Sequence, residues 1–125
     1  MNLYEVSDLI NSSTANLMAS QTIFLSMITA YLVVAYTIGE KLTLYQVSVV
    51  NLIFTLSILN GTAGGVAGLE MLMDHIAASM EIQGIDETGN VIRATVTSFV
   101  YVAIRLIFLV ASLGFMWQVR HPKTE

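Results

Sequence analysis

The sequence predicts an all-α membrane protein with three transmembrane spans and an amphipathic helix on the outer side between spans 2 and 3. The chain of 125 residues is 55% hydrophobic and only 11% charged, and its mean hydropathy is +0.72. A small water-soluble domain could not hide that many apolar side chains in its core. Three apolar stretches of about 20 residues each match a hydrocarbon core of about 30 Å, because a helix rises about 1.5 Å per residue.

The first span is placed at 16–38, after a short amphipathic segment at 2–10 that we expect on the outer surface. The polar residues 11–14 offer N-cap side chains for this span, and Gly39 suits its C-terminal cap. No Lys or Arg precedes Lys41, so the basic n-region of a cleaved signal peptide is missing. We therefore expect this span to stay in the mature protein.

The second span is placed at 44–66, and only about four residues connect it to the first, which predicts an antiparallel helical hairpin. Thr43 and Gln46 have the spacing of a capping box at its start. Beyond this span, apolar residues at helical spacing oppose three acidic residues: Glu70, Asp74 and Glu81. The pattern predicts a surface helix over about 67–82, which could continue the second span.

The third span is placed at 94–118, directly after the turn-forming residues 84–90. The chain has no internal repeats, no low-complexity segment and no second domain. Residues 1–125 therefore form a single three-span membrane domain.

The distribution of charge predicts an orientation in the membrane. Three basic residues fall on one side of the spans: Lys41, Arg120 and Lys123. By the positive-inside rule the N-terminus lies outside and the C-terminus in the cytoplasm of a multi-pass protein of the cell (inner) membrane, with Arg93 as the exception. Three aromatic residues would then form a belt at the cytoplasmic boundary: Tyr36, Tyr45 and Trp117.

Several functions are not expected from this composition. The chain has no cysteine, which excludes disulfides, thiolate catalysis and cysteine-bound metals. Its net charge of -4 without a basic tract argues against a nucleic-acid partner. No nucleophile with a base, phosphate loop or pair of catalytic carboxylates is found. We therefore expect no enzymatic activity, no cofactor and no metal.

Arg105 lies near the middle of the third apolar stretch, whereas every Asp and Glu of the chain lies outside such stretches. A charged guanidinium at that depth costs several kcal/mol, so something must stabilise it there. Ser98, Tyr101 and Ser112 share its helix face and form a polar stripe with it. The candidate partners are water in a pore, carbonyls at a helix break, a lipid or anion, and a carboxylate of another protein. A structural role, in which Arg105 bonds neighbouring helices and fixes their packing, is the alternative.

Polar residues at a matching depth on the other spans are candidates to surround Arg105. Asn51 and Thr55 share a face of the second span, and the side-chain carbonyl of Asn51 could accept a hydrogen bond from the guanidinium. Three hydroxyl residues share a face of the first span: Thr22, Ser26 and Thr29. Such residues also bond membrane helices to one another without any further role.

Four glycines near the outer end of the second span form two overlapping GxxxG motifs: Gly61, Gly64, Gly65 and Gly68. Glycines at this spacing let another helix approach closely. They could pack against the third span of the same chain, mediate self-association, or mark an unwound re-entrant segment.

The acidic residues Glu70, Asp74 and Glu81 predict a solvated acidic face on the outer side. His75 points about 100° away from its neighbour Asp74 on a helix, and no second helix supplies matching ligands, so a metal site is not expected. In a ring of identical chains this face would concentrate cations at the outer mouth.

Two functions of different classes account for Arg105. The first is a homo-oligomeric pore or channel-like assembly in the lipid bilayer, with the polar stripe facing a hydrated interior. The second is a non-conducting accessory subunit whose Arg105 pairs with a carboxylate of another membrane subunit. The length and three-span topology also resemble those of small phage holins, which implies a third candidate, a membrane-permeabilising protein. The highly charged cytoplasmic tail typical of that group is missing here.

Overall fold

The computed structural model describes residues 2–86 and 88–122, with the side chains of Thr88, Asn90 and Val91 left out. It contains three long helices: α1, Leu3–Ile38; α2, Leu44–Gln83; and α3, Thr88–Arg120. A short 3-10 turn, Gly39–Lys41, joins α1 to α2. Each helix packs against both others. Lys123, which bears on the predicted orientation, lies outside the described residues.

The described residues form helices and no strands, and all three long helices are long and apolar enough to cross a membrane, as expected for the predicted multi-pass membrane protein. The helices α1 and α2 have 36 and 40 residues. At about 1.5 Å per residue they are roughly 54 and 60 Å long, so both extend well beyond a hydrocarbon core of about 30 Å. Residues 67–82, predicted as a surface helix, are the last part of α2, and both their amphipathic surface character and their position on the outer side stay predictions.

The start of α1 differs from the prediction. The helix begins at Leu3, where the Asn2 side chain accepts from the Glu5 amide at 2.9 Å and the Glu5 carboxylate accepts from the Asn2 amide at 3.1 Å. The prediction of N-caps at 11–14 is therefore wrong, since these residues lie inside the helix. The cause is tertiary packing: Val6 is only 1% exposed, so this segment is a packed part of α1.

The turn between α1 and α2 is held by both local and distant groups. The predicted capping box is confirmed, because the Thr43 hydroxyl accepts from the Gln46 amide and the Gln46 side chain accepts from the Thr43 amide. Gly39 caps α1 as predicted. From the end of α3, the Arg120 guanidinium donates to the carbonyls of Gly39 at 2.9 Å and Leu42 at 2.7 Å. We call this end of the bundle the turn end.

We expect Arg120→Leu to loosen the turn, because it removes two charge-assisted hydrogen bonds worth about 1.5–3 kcal/mol each. Lys41 is exposed in that turn, so endoproteinase Lys-C should cut after it about tenfold faster or more in the variant, by local opening. Arg93→Leu, an exposed arginine at the other end of α3, is the control. Equal cutting rates in wild type and Arg120→Leu would show that the two bonds do not restrain the turn.

The core lies between the three helices, from the turn end towards the middle of the bundle. Tyr31 of α1 stacks on Phe54 of α2, with ring centroids 4.0 Å apart. Other buried residues come from all three helices: Ile28, Ala35, Ile58, Leu109 and Met116. At the other end α2 finishes at Gly84, whose φ of 70° is a left-handed conformation that glycine adopts without strain. The core continues up α3 to the level of Arg105.

Candidate functional site around Arg105

Arg105 is buried inside the bundle rather than at its surface. Its side chain is only 3% exposed and lies between α1 and α2. On α3, side chains lean towards the N-terminus of their helix, so the guanidinium reaches away from the turn end. This direction decides which residues can contact it.

Two aromatic rings and one amide surround the guanidinium. Its carbon Cζ lies 4.1 Å from the centre of the Phe24 ring and 4.8 Å from the centre of the Tyr101 ring. Its Nη2 group donates to Oε1 of Gln21 at 2.9 Å. Cation–π contacts and an amide partly replace the hydration that a buried arginine loses.

None of these three partners carries a negative charge. Within the described residues, Nε of Arg105 and the Tyr101 hydroxyl are buried and make no hydrogen bond. Only Nη2 of the guanidinium has a hydrogen-bond partner there. The site therefore holds a full positive charge that its polar and aromatic neighbours solvate only in part. None of the described groups that contact it supplies a negative charge.

An open cleft between α1 and α2 leads to the guanidinium. It has a volume of about 320 Å³, and Arg105 is part of its lining together with Asn16, Ser20, Ser57 and Gly61. The Nη1 atom lies 3.8 Å from where a Cβ on Gly61 would be. The cleft continues along the same two helices as a smaller space of about 120 Å³ that Gly64 and Asn16 help to line.

From the other side of α1 the guanidinium is covered. There a hollow is lined by Gln21 and Tyr101, two of the three side chains that contact Arg105, and Arg105 itself is not part of its lining. The guanidinium is therefore accessible from one side only, through the cleft between α1 and α2.

The predicted polar stripe faces the interior of the same chain. Arg105 and Ser112 are each 3% exposed, and Tyr101 and Ser98 are partly buried. Ser112 donates to the Phe108 carbonyl at 2.7 Å, within its own helix. The stripe is thus an internal surface of one three-helix bundle.

Asn51 does not contact Arg105, so the prediction of this hydrogen bond is wrong. Its side-chain carbonyl accepts instead from the Tyr31 hydroxyl at 2.6 Å. Gly61 is the α2 residue next to the guanidinium, and Asn51 lies ten residues, about 15 Å, nearer the turn end. Thr55, the other predicted neighbour, is half-buried on the same stretch of α2.

We expect Tyr31→Phe and Asn51→Leu each to lower the free energy of unfolding by about 1–2 kcal/mol, because each leaves one polar group unpaired. The double variant should lose less than the sum, since no unpaired group is left. Thermal unfolding in detergent of the four proteins measures this cycle. Strict additivity of the two losses would show that the hydrogen bond contributes nothing.

Several serine and threonine hydroxyls of α1 and α2 donate to the backbone of their own helix. Five on α1 donate to the carbonyl four residues earlier, at distances of 2.7–3.1 Å: Thr14, Thr22, Ser26, Thr29 and Thr37. Ser48 on α2 does the same at 2.8 Å. A hydroxyl bonded in this way has no proton left to donate to another helix, so these residues donate no hydrogen bond between helices.

The glycine motifs are helical and face two different neighbours. Gly61 and Gly65 face α3: a Cβ on Gly65 would lie 2.7 Å from Cζ of Tyr101. Gly68 faces α1, where a Cβ would lie 3.5 Å from Leu17, and Gly64 has open space. Because α2 is continuous through this segment, the re-entrant alternative is wrong and packing within the chain accounts for three of the glycines.

The acidic residues Glu70, Asp74 and Glu81 are all exposed on the last part of α2. In residues 2–86 and 88–122, no three acidic, histidine or cysteine side chains come together in a way that could hold a metal ion. This face is remote in sequence from Arg105.

Sequence reasoning missed Gln21 and Phe24 as residues of the site. A signal for them existed, since both lie about as far before Gly39 on α1 as Arg105 lies before Arg120 on α3. Gly39 and Arg120 meet at the turn end, so equal distances from them mean equal depth.

In comparisons with known proteins, the chain matches no family model, no curated protein and no solved structure.

Proposed function

We propose that this chain is a non-enzymatic, non-conducting subunit of a larger membrane complex, in which Arg105 pairs with a carboxylate on a transmembrane helix of another protein. One observation carries the proposal. The guanidinium is buried among Gln21, Phe24 and Tyr101, none of them charged, yet it borders an open cleft. Charged groups at membrane depth pair with one another or face a functional site.

Energetics favour a charged partner over the present surroundings alone. A buried charge lacking a counterion is costly, and removing one member of a buried pair costs about 3–5 kcal/mol. Cation–π contacts supply about 0.5–2 kcal/mol, which offsets only part of such a cost. A carboxylate entering the cleft would bring both a countercharge and acceptors for the free N–H groups.

The geometry gives less support to a pore. In a pore the stripe of Ser98, Tyr101, Arg105 and Ser112 would face water between subunits, whereas Arg105 and Ser112 are almost fully buried in one chain. Turning them outward would break the Arg105 contacts with Phe24 and Gln21. The same argument applies to a holin-like permeabilising protein.

The proposal includes an orientation, with the turn end at the cytoplasmic side. Three aromatic side chains near that end are 66–79% exposed and could form an interfacial belt: Tyr36, Tyr45 and Trp117. Lys41 and Arg120 lie at the same end, in keeping with the positive-inside rule. The exposed acidic face of α2 would then lie on the outer side.

The test is the composition of the complex that the tagged chain forms in its native membrane. We expect mild detergent to extract it together with a second polypeptide in fixed stoichiometry, and that polypeptide to carry an Asp or Glu inside a transmembrane span. The purified chain alone should carry no current in planar bilayers. A defined homo-oligomer that conducts would contradict the proposal and establish the pore.

A further inference from the structure

We infer that the partner docks in the cleft between α1 and α2, and that it is a transmembrane helix with small residues on its contact face and one Asp or Glu near its middle. This inference rests on the proposed function and adds the surface and the chemistry of the occupant.

The charge of Arg105 can be reached from the cleft between α1 and α2. Only 3% of the surface of Arg105 is exposed, and the residue lines the cleft on the α1–α2 side. Its Nε has no hydrogen bond in the described part of the chain, and Nη1 lies beside Gly61, where the missing side chain leaves room. On the other side, Gln21 and Tyr101 cover the guanidinium.

The cleft is elongated along α1 and α2. Small and polar residues line part of both walls, between larger apolar residues such as Leu17, Ile23 and Met27: Ser13, Asn16 and Ser20 from α1, and Ser57, Gly61 and Gly64 from α2. These residues span eight positions on each helix, 13–20 and 57–64, at helical spacing, a length of about 10 Å along the bundle. Small residues at this spacing allow helix backbones to come close together in membranes. An elongated groove of this kind fits a helix better than it fits a small anion.

Depth and charge decide which group can occupy the cleft beside Arg105. A second copy of this chain offers no acid at the right depth, since its acids lie outside the apolar stretches. A lipid phosphate lies at the membrane surface, whereas Arg105 is twelve residues from Arg93 and fifteen from Arg120, or about 18 and 22 Å along α3. Charge complementarity at this depth therefore selects a carboxylate carried by a transmembrane helix.

The test uses synthetic transmembrane helices as probes. Two Leu/Ala-rich peptides, identical except for a single central Glu or Gln, are labelled and mixed with the labelled full chain in phosphatidylcholine vesicles. Energy transfer then measures binding. We expect the Glu peptide to bind about tenfold more tightly than the Gln peptide, because interhelical polar contacts in membranes are worth about 1–2 kcal/mol.

Two glycine variants locate the binding surface. Gly64 lines the cleft and Gly114 lies on α3 outside it, and a Cβ on either would meet nothing within 4 Å. The first carbon of a new side chain therefore fits at both positions, and thermal unfolding in detergent checks that both leucine variants fold. Gly64→Leu should abolish the tenfold preference by filling the cleft, and Gly114→Leu should retain it.

The outcomes separate the inference from the proposed function. A Glu preference that survives Gly64→Leu would show that the partner docks elsewhere, while the native complex could still form. Equal binding of the two peptides to wild type would overturn carboxylate recognition. Energy transfer between two copies of the chain that Gly64→Leu abolishes would make a second copy the occupant and overturn the inference. The absence of a partner in native membranes would overturn the proposed function itself.

Discussion

Replacing Arg105 by methionine is expected to abolish association with the partner while leaving the isolated chain folded. Methionine has a similar length, makes favourable sulfur contacts with aromatic rings, and would lie between Phe24 and Tyr101 in place of the guanidinium. Gln21 would lose its bond to Arg105, but its side chain is exposed and can find another partner. Apolar replacements of buried charges are often neutral or stabilising, so we expect a change between zero and about 2 kcal/mol in favour of folding.

In contrast to stability, the affinity of the Arg105→Met variant for the partner should fall. Removing one member of a buried ion pair costs about 3–5 kcal/mol, which corresponds to a loss of affinity of more than about a hundredfold. Arg105→Lys should bind with intermediate affinity, because a lysine ammonium lacks the forked geometry that binds a carboxylate through two bonds. Copurification from native membranes and thermal unfolding in detergent measure the two effects on the same variants.

A matched control uses Arg93→Met, which removes an exposed arginine of the same helix and should alter neither quantity. If Arg105→Met lowers the unfolding temperature but leaves copurification unchanged, Arg105 only fixes the packing of the bundle. That result would remove the basis of the proposed function.

Replacing Gly65 by alanine is expected to be destabilising, although alanine is the better helix former. A Cβ at this position would lie 2.7 Å from Cζ of Tyr101, with the hydroxyl oxygen still closer. The Tyr101 ring must then move, together with its contact to Arg105. Overpacking of this kind costs about 1–3 kcal/mol, more than the roughly 0.5–1 kcal/mol that Gly to Ala gains within a helix.

Two further variants test the cause of this loss. Gly64→Ala, one residue earlier with open space around it, should be neutral or slightly stabilising. Because the nearest atom to the added methyl is the Tyr101 hydroxyl, Tyr101→Phe should recover part of the loss in a double variant. Thermal unfolding in detergent measures all four proteins. Equal stability of Gly65→Ala and Gly64→Ala would show that α2 and α3 are not packed as described.

The number and type of helices could be predicted because apolar stretches of membrane length are a strong signal. The start of α1 could not, because its polar residues 11–14 look like caps when read without the packing that buries Val6. The full length of α2 could not be predicted from the local sequence either. Its glycine-rich segment stays helical because α1 and α3 pack against it, which the local sequence does not reveal.

The centre of the site could be predicted and its surroundings could not. Arg105 is evident from its charge in an apolar stretch, but its partners depend on the register between helices. Asn51 is the predicted contact because it lies at a matching depth on the second span, whereas the antiparallel register places Gly61 next to the guanidinium. Gln21 and Phe24 follow only once α1 is aligned with α3 from the turn end.

The hydroxyls on one face of α1 determine which groups that face presents to lipid. Thr22, Ser26 and Thr29 are exposed, yet each has its proton engaged by its own backbone. Lipid chains therefore meet methyl and methylene groups on this face, with the donors already satisfied. The first span is effectively more apolar than its composition indicates, so the outer face of α1 can remain in contact with lipid while the cleft behind it binds a protein.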